Sequence, residues 1–351
     1  MNKHLIDLND FPRSHWDGII HLAEEIMDNP HIYEGSCRGK IMGTLFYEPS
    51  TRTQMSFQSA MLRLGGGIIG FDNPTASSIV KGESLKDTVK TVSGYSDIMV
   101  MRHPVAGSVK AAALTADCPI INAGDGGHLH PTQTLTDMLT LQKEKGQLTN
   151  LKIGICGDLK YGRTVHSLVK ALSCYEDNSF VFISTDELQM PEYISGKLQN
   201  WSKTDSLDSA IGELDVLYMT RIQKERFQSD DDGAEASRYI LTPDKLAKGK
   251  QDLIVMHPLP RNDEIDVAVD GDPRALYFRQ AHYGMYVRMA LILIILNYDM
   301  PAPVLLKGSK ITGVTCDSEK CIVQSEPHLP HSFIKADNVL TCEYCETRKI
   351  T

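Results

Sequence analysis

The chain has 351 residues, which is too long for one ordinary domain and predicts two or three. With 42% hydrophobic and 23% charged residues it has the composition of a globular protein, and its net charge of -9 argues against extensive nucleic-acid binding. The longest apolar run, 289–296, is far shorter than the ~20 residues that span a bilayer, so we expect a buried helix there and no membrane partner.

The N-terminus and the cysteines predict a cellular location. Residues 1–17 are interrupted by aspartates and contain no apolar stretch of a secretion signal. Half of the 8 cysteines are scattered singly along the chain, which is typical of reduced thiols. We therefore expect a cytoplasmic protein.

A strand followed by a helix frames the first candidate site. Residues 41–46 are an apolar run that predicts a buried strand, and residues 54–64 have apolar side chains at helical spacing. Ser50, at the junction, is a good helix N-cap. Such a turn directs backbone N–H groups and the helix dipole at one point, where phosphate binds, and Arg52 adds a forked donor. An ordinary N-cap with a surface arginine explains the stretch equally well.

Three further segments of the first half place polar residues beside predicted strands. A strand is predicted over 68–71, and a small polar loop with Lys81 follows it. A second is predicted over 96–101 and is followed by Arg102. A third is predicted over 120–122, and a Gly-rich turn leads from it to His130 and to a helix over 131–145. Ligands bind at the carboxyl ends of strands in open α/β sheets, so we expect Arg102 and His130 to converge with Ser50. Taken alone, Lys81 is a solvated loop residue, and a lone histidine is more often a cap or core residue.

The second half repeats the alternation of strands and helices. Strands are predicted over 151–156, 180–184, 216–219 and 254–256. The glycines after the first of these do not have dinucleotide-binding spacing, and we instead expect them to present Arg163 at a helix N-terminus. Residues 229–236 are acidic and small and predict a mobile loop. The whole pattern indicates two parallel-sheet α/β domains.

These motifs, in this order over about residues 1–300, resemble those of the transcarbamoylases. Ser-Thr-Arg-Thr after a strand is similar to their carbamoyl phosphate loop, and His130-Pro-Thr-Gln-Thr is similar to their carbonyl-binding motif. A further motif follows the strand predicted over 254–256 and begins with His257-Pro258 in this chain. Ornithine-specific members have a cysteine after that histidine, whereas the aspartate carbamoyltransferases have a proline, as here. Arg163 and Arg221 would suit the two carboxylates of aspartate and would repel the ammonium group of ornithine.

The resemblance implies a reaction and a set of site residues. Carbamoyl phosphate and L-aspartate would give N-carbamoyl-L-aspartate and phosphate, the committed step of de novo pyrimidine biosynthesis, without an organic cofactor. The implied catalytic residues are Arg52, Thr53, Lys81, Arg102 and His130. The implied substrate-binding residues are Ser50, Thr51, Arg52, Thr53, Ser77, Lys81, Arg102, His130, Gln133, Arg163, Arg221, Gln223, Pro258 and Leu259.

The resemblance also implies an assembly. The loop with Ser77 and Lys81 would reach the active site of a neighbouring subunit, so a homotrimer with shared sites is expected, and larger assemblies stay open. Glu48 resembles the family residue that bridges to Arg163 and Arg226 when the two domains close.

Two cysteine pairs near the C-terminus predict a metal site. Cys316-x4-Cys321 and Cys342-x2-Cys345 have the spacing of a tetrahedral, structural zinc site, one per chain. Free thiols are disfavoured by this spacing, and a disulfide is disfavoured by the expected compartment. Zinc ribbons often bind nucleic acid, but residues 301–351 contain equal numbers of basic and acidic residues and therefore no basic patch.

The segment around these cysteines resembles the zinc domain of the aspartate carbamoyltransferase regulatory chain. Too few residues lie between Asn297 and Cys316 for the nucleotide-binding domain of that chain, so we expect no allosteric control by ATP or CTP. The predicted architecture has a carbamoyl phosphate-binding domain (1–132, completed by helix 286–299), an aspartate-binding domain (133–285) and a zinc domain (303–351). Two alternatives are another transcarbamoylase and a regulatory or scaffold protein whose zinc module recruits a partner.

Overall fold

A computed structural model of the chain describes residues 4–73, 78–126, 130–221, 239–297 and 308–350. The helices in these ranges are α1 Arg13–Asp28, α2 Thr51–Arg63, α3 Leu85–Ser93, α4 Ser108–Ala113, α5 Pro131–Lys145, α6 Arg163–Leu172, α7 Glu192–Ser195, α8 Leu207–Ala210, α9 Pro243–Leu246 and α10 Tyr277–Leu296. The strands are β1 Ile41–Phe46, β2 Gly67–Phe71, β3 Ile98–His103, β4 Ile120–Asp125, β5 Lys152–Cys156, β6 Ser179–Ile183, β7 Trp201–Thr204, β8 Val216–Met219, β9 Ile254–Met256, β10 Ser309–Thr312, β11 Ser332–Ala336, β12 Val339–Cys342 and β13 Arg348–Ile350.

The chain divides into two compact units. Met1–Leu135 and Gly284–Thr351 form the first unit, and Thr136–Tyr283 form the second. The chain leaves the first unit within α5 and returns to it within α10. Within the described ranges, no helix combines the length and hydropathy required to cross a bilayer.

The first unit contains a parallel sheet with the strand order β2-β1-β3-β4. Its two central strands are apolar along nearly their whole length, and residues 42–46 and 98–102 are all buried. Continuous apolar strands of this kind are typical of parallel sheets that are covered on both faces. The order places the carboxyl ends of β1, β3 and β4 side by side.

The second unit contains a parallel sheet with the strand order β7-β6-β5-β8-β9. The carboxyl ends of β5, β8 and β9 are adjacent, and polar segments of the predicted site follow each of them. The edge strand β7 was not predicted from the sequence. Three of its four residues are exposed, so no apolar run marks it.

The C-terminal module, residues 308–350, is a four-stranded antiparallel sheet in the order β10-β11-β12-β13. Its buried side chains, among them Ile322 and Phe333, share one hydrophobic core with Val89 of α3, Val109 of α4 and Met99 of β3. Within the first unit, the module therefore packs directly on α3, α4 and β3. The antiparallel sheet itself was not anticipated.

The predicted fold class, two parallel-sheet α/β domains with a small four-cysteine module, is confirmed. The bounds predicted for β1, β8, β9 and α5 match the observed ones. Strand β3 begins two residues later than predicted and continues to His103, so Arg102 lies within the strand. The predicted loop at 229–236 lies outside the described residues.

Candidate active site

The turn between β1 and α2 presents the start of a helix at the carboxyl edge of the sheet. Ser50 occupies the N-cap position, as predicted, but its side chain makes no capping hydrogen bond. Thr51 and Arg52 are exposed, whereas Thr53 is buried. The first N–H groups of a helix have no partner within the helix, so an anion at this turn can accept from them.

Arg102 extends from β3, the strand next to β1. It pairs in register with Phe46, and the Tyr47 N–H donates to its carbonyl oxygen at 2.9 Å. The side chain is buried, and its Nη1 donates to the Ala123 carbonyl oxygen at 3.4 Å. The pairing of β1 with β3 thus places this guanidinium beside the start of α2.

Gly124 explains how a buried guanidinium fits at this sheet edge. Its φ is +117°, and a Cβ there would lie 2.9 Å from Arg102 Nη1 and 3.5 Å from His130 Cδ2. Any side chain would therefore be strained and would collide with the arginine. Arg102 and His130, two of the three residues predicted to converge, therefore lie around one glycine. Their convergence with Ser50 stays a prediction.

His130 and Gln133 occupy the start of α5. His130 is buried, and its Nδ1 lies 3.5 Å from Thr132 Oγ1, while its carbonyl oxygen accepts from the Gln133 N–H at 3.1 Å. Gln133 is partly buried. The imidazole is held on the same edge of the sheet as Arg102.

Electrostatics favour an anion between the two arginines. Burial lowers the pKa of Arg102, and the Glu48 carboxylate, 3.1 Å from its Nη2, opposes that effect. Burial first and the charge of Arg102 second lower the pKa of Arg52. The two guanidiniums repel each other, so an anion bound between them would relieve this repulsion.

Two further predicted residues of the first unit, Ser77 and Lys81, lie in the segment after β2. Lys81 ends a short 3-10 helix, Ser78–Lys81, and is exposed. It precedes α3 by four residues. Ser77, the other predicted residue of this loop, lies outside the described residues.

In the second unit the predicted residues follow three adjacent strands. Arg163 begins α6 after β5, Arg221 follows β8 and is exposed, and Pro258 and Leu259 follow β9. Leu259 has a φ of +53°, and its N–H donates at 2.7 Å to His257 Nδ1. The Arg163 side chain, and all of Gln223 and Arg226, lie outside what the structure describes.

Sequence reasoning missed two residues that shape the carboxyl end of β4. The Asn122 Oδ1 accepts the Gly124 N–H at 2.8 Å, and the Asp125 Oδ2 accepts the Gly107 N–H at 2.8 Å. Both side chains are fully buried. Buried polar residues at the end of an apolar strand were the available signal, because such groups need nearby hydrogen-bond partners.

The four predicted metal ligands come together in the C-terminal module. One sulfur from each of Cys316, Cys321, Cys342 and Cys345 lies within 4.8 Å of all the others. Between the two pairs, the Cys316 and Cys345 sulfurs lie 3.5 Å apart and the Cys321 and Cys342 sulfurs lie 3.9 Å apart. A tetrahedron of thiolates around zinc, with Zn–S of ~2.3 Å, has edges of roughly 3.8 Å. The arrangement therefore fits a four-thiolate zinc site.

Family comparisons cover both units. Residues 3–143 match the family described as aspartate/ornithine carbamoyltransferase, carbamoyl-P binding domain, and residues 149–295 match its Asp/Orn binding domain. The aspartate carbamoyltransferase catalytic subunit of Clostridium perfringens is 54% identical over 300 residues, which are 83% of this chain and 97% of that protein. The subunit of the same name from Clostridium kluyveri is 53% identical and is 98% covered.

Solved structures agree with these matches. The catalytic subunit of M. jannaschii aspartate transcarbamoylase has a TM-score of 0.80 at 44% identity, over 85% of this chain and 99% of that one. Aspartate transcarbamoylase from Trypanosoma cruzi, in complex with carbamoyl phosphate and aspartate, has a TM-score of 0.78 at 40% identity, over 83% and 95% of the two chains.

Proposed function

This chain belongs to the aspartate carbamoyltransferase family, and from that premise we propose that the Ser50–Thr53 turn, Arg102 and His130 bind carbamoyl phosphate and activate its carbonyl group. The enzyme transfers the carbamoyl group to L-aspartate, the committed step of de novo pyrimidine biosynthesis. The observation that best supports the assignment is the buried Arg102 guanidinium, seated over Gly124 and next to Arg52.

The phosphate group binds at the start of α2. Ser50, Thr51, Arg52 and Thr53 supply hydroxyls, backbone N–H groups and a guanidinium that can bind a phosphate in a forked geometry. Arg102 and His130 lie toward the carbonyl oxygen, and Gln133 holds the carbamoyl NH2. These assignments rest on the family resemblance and on the adjacent strand ends.

The chemical step needs no covalent intermediate with the enzyme. The neutral amine of aspartate attacks the carbonyl carbon, a C–N bond forms, and the bond from that carbon to the phosphate oxygen breaks. The departing phosphate takes the proton that the amine loses. Thr53, Arg102 and His130 stabilise the oxyanion that develops, so catalysis depends on orientation and electrostatics.

Aspartate binds second, to residues of the second unit. Arg163, Arg221 and Gln223 hold its two carboxylates, and backbone groups of Pro258 and Leu259 contribute. Support comes from the adjacent carboxyl ends of β5, β8 and β9, which deliver these segments to one edge of the sheet. Residues 1–132, with helix 286–299, form the carbamoyl phosphate domain in this proposal, and residues 133–285 form the aspartate domain.

The active site is shared between subunits of a homotrimer. Ser77 and Lys81 of one subunit complete the site of its neighbour, where the lysine supplies a flexible point charge. The exposure of Lys81 is compatible with this reach. A cytoplasmic location stays a prediction from the cysteines and the N-terminal sequence.

The four cysteines of the C-terminal module hold one structural zinc ion. The support is the fit of the sulfur separations to a thiolate tetrahedron. When bound, the metal cross-links the two cysteine turns and stabilises a module of few residues. Residues 303–351 form this zinc domain.

One assay tests the substrate assignment. Purified protein is given carbamoyl phosphate with either L-aspartate or L-ornithine, and the ureido product is measured. We expect product with aspartate and none above background with ornithine. Comparable rates with both acceptors would contradict the role given to Arg163 and Arg221, and no product with either would contradict the whole assignment.

A further inference from the structure

We propose that Glu326, in the C-terminal module, is a positioning residue that holds the Lys81 segment (residues 78–85) in place for catalysis. The inference rests on the shared active site proposed above. It begins from a hydrogen bond between residues 241 positions apart: the Leu85 N–H donates to Glu326 Oε1 at 3.0 Å.

This hydrogen bond lies at the start of α3. The Ser84 hydroxyl already accepts the Asp87 N–H at 3.1 Å as an ordinary N-cap. Glu326 accepts the N–H of the first helical residue, which has no partner within the helix, and places a negative charge at the positive end of the helix dipole. The C-terminal module thus supplies part of the cap of α3, which belongs to residues 1–135 of the same unit.

Other residues of the module fix both the backbone and the side chain of Glu326. Its backbone N–H donates at 3.0 Å to the carbonyl oxygen of Ile322, the residue after the predicted zinc ligand Cys321. Its second carboxylate oxygen lies 3.3 Å from His328 Nδ1, and the side chain is 13% exposed. A carboxylate constrained in this way can fix the residue that it caps, and its position depends on the turn that Cys321 begins.

Backbone hydrogen bonds also join the module to the segment that follows β3. The Ala106 N–H donates to the Lys320 carbonyl oxygen at 3.2 Å, and the Ile322 N–H donates to the Ala106 carbonyl oxygen at 3.0 Å. Ala106 lies four residues after Arg102. Gly107 has a φ of +86°, and a Cβ there would lie 2.6 Å from the Cβ of Tyr344, so the two segments of the chain approach closely. The backbone next to Glu326 is therefore held against the segment around Ala106.

Lys81 precedes Leu85 by four residues, and Gly82, with a φ of +85°, lies between them. A glycine permits many backbone conformations, so the lysine's position depends on where the segment is anchored. Anchoring Leu85 restricts the positions that the Lys81 amine can reach. The C-terminal module would in this way act on the neighbouring subunit's active site without contacting substrate.

Steady-state kinetics of Glu326→Ala test the proposal, with Glu326→Gln as the conservative variant and Glu319→Ala as the control. Glu319 is an exposed acidic residue in the turn between Cys316 and Cys321. Loss of a charged cap should lower kcat/KM for aspartate about three- to tenfold. Glu326→Gln keeps an acceptor oxygen and should retain more than half of the activity, and Glu319→Ala should match wild type.

Hydrogen exchange identifies the structural cause. In Glu326→Ala the Leu85 amide should exchange faster, while the zinc content stays equal to that of the wild type. Wild-type kcat/KM in a variant whose Leu85 amide has lost protection would overturn the proposal. So would loss of zinc or of folded protein in Glu326→Gln, because Glu326 would then be needed for the fold itself.

Hybrid trimers locate the effect. Glu326→Ala chains are reassociated with an excess of Arg52→Ala chains, so that each intact Arg52 meets a neighbour with an intact Lys81 segment. The KM for aspartate should return to the wild-type value. A parallel hybrid of Lys81→Ala with Arg52→Ala should regain activity. Recovery in the parallel hybrid alone would overturn the role of Glu326, whereas failure of the parallel hybrid would overturn the shared site on which the inference rests.

Discussion

The Glu48 carboxylate lies 3.1 Å from Nη2 of Arg102 and pairs with a guanidinium that is almost buried. The sequence resemblance implies that Glu48 bridges to Arg163 and Arg226 when the two domains close. The pair with Arg102 is a different partner, and it lies inside the first unit. This pair partly offsets the cost of burying a charge at the sheet edge. Because Glu48 offsets part of the charge of Arg102, we expect the nearby Arg52 to be the more important cation for attracting phosphate.

Replacing Arg52 should therefore remove most of the activity. We expect Arg52→Ala to lower kcat/KM by on the order of 10²–10³ or more, because a charged, forked phosphate contact is lost. The residue is exposed, so the thermal unfolding midpoint should hardly change. Arg63→Ala, at the other end of α2, is the matched control and should be fully active. Near-normal rates in Arg52→Ala would contradict the anion-binding turn.

Lys81 should act in the neighbouring subunit. Homotrimers of Lys81→Ala and of Arg52→Ala should each be nearly inactive, whereas mixed trimers should regain activity. In each mixed trimer of cyclic symmetry, one site joins an intact Arg52 to an intact Lys81. Lys86→Ala, an exposed lysine on α3, serves as the control and should be active as a homotrimer. Verified hybrids without activity would mean that Lys81 serves its own chain.

Arg221 should matter for the second substrate alone. We expect Arg221→Ala to raise the KM for aspartate by about 10- to 100-fold, because a charge-assisted hydrogen bond to a carboxylate is lost. The KM for carbamoyl phosphate should change less than threefold. Lys203→Ala, on the edge strand β7 of the same sheet, should leave both values unchanged. Equal damage to both KM values would indicate a structural role instead.

The zinc prediction concerns stability. Protein purified without chelator should contain about one zinc ion per chain, and Cys342→Ser should unfold the C-terminal module, since metal binding supplies much of its folding free energy. Cys174→Ser, an exposed cysteine of the second unit, should keep its zinc and its unfolding midpoint. A zinc content well below one per chain would refute the site.

Zinc removal should weaken the trimer without abolishing the chemistry. The zinc ion does not contact substrate in this proposal, so the remaining trimer should retain carbamoyl transfer. Its kcat/KM for aspartate should fall several-fold, as expected when Glu326 no longer caps α3. ATP and CTP should leave the aspartate saturation curve unchanged at concentrations that do not compete with carbamoyl phosphate. A nucleotide-dependent shift of that curve would contradict the absence of a nucleotide switch.

The pH dependence of stability should reflect His103, which follows Arg102 in β3. Burial lowers its pKa from 6.5 to about 4 despite the nearby Asp125 carboxylate. The unfolded chain binds the proton more readily, so this histidine's contribution is complete above about pH 6.5 and is lost as the pH falls toward 4. His103→Asn should therefore show a smaller drop in unfolding midpoint between pH 7 and 5 than the wild type. His21→Asn, an exposed histidine on α1, should show the wild-type drop.

The sequence by itself determined the bounds of several elements and the polar residues that follow their strand ends. The apolar runs of β1, β8 and β9 are continuous and end at polar turns, because strands buried on both faces of a parallel sheet have no alternation. Arg102 and His130 were expected to converge because the carboxyl ends of neighbouring parallel strands share one edge, and they do meet around Gly124. The short, exposed β7 has no such run and was missed.

Only the tertiary structure decided what the C-terminal module touches. Cysteine spacing predicts a metal site because the two ligands on each turn are close in sequence. It contains no information about the surface on which the module packs. That surface includes α3, α4, β3 and the segment around Ala106, and the packing brings Glu326 within hydrogen-bond distance of Leu85. A contact between residues 241 positions apart arises from the packing of two elements, and no periodicity in either segment reports it.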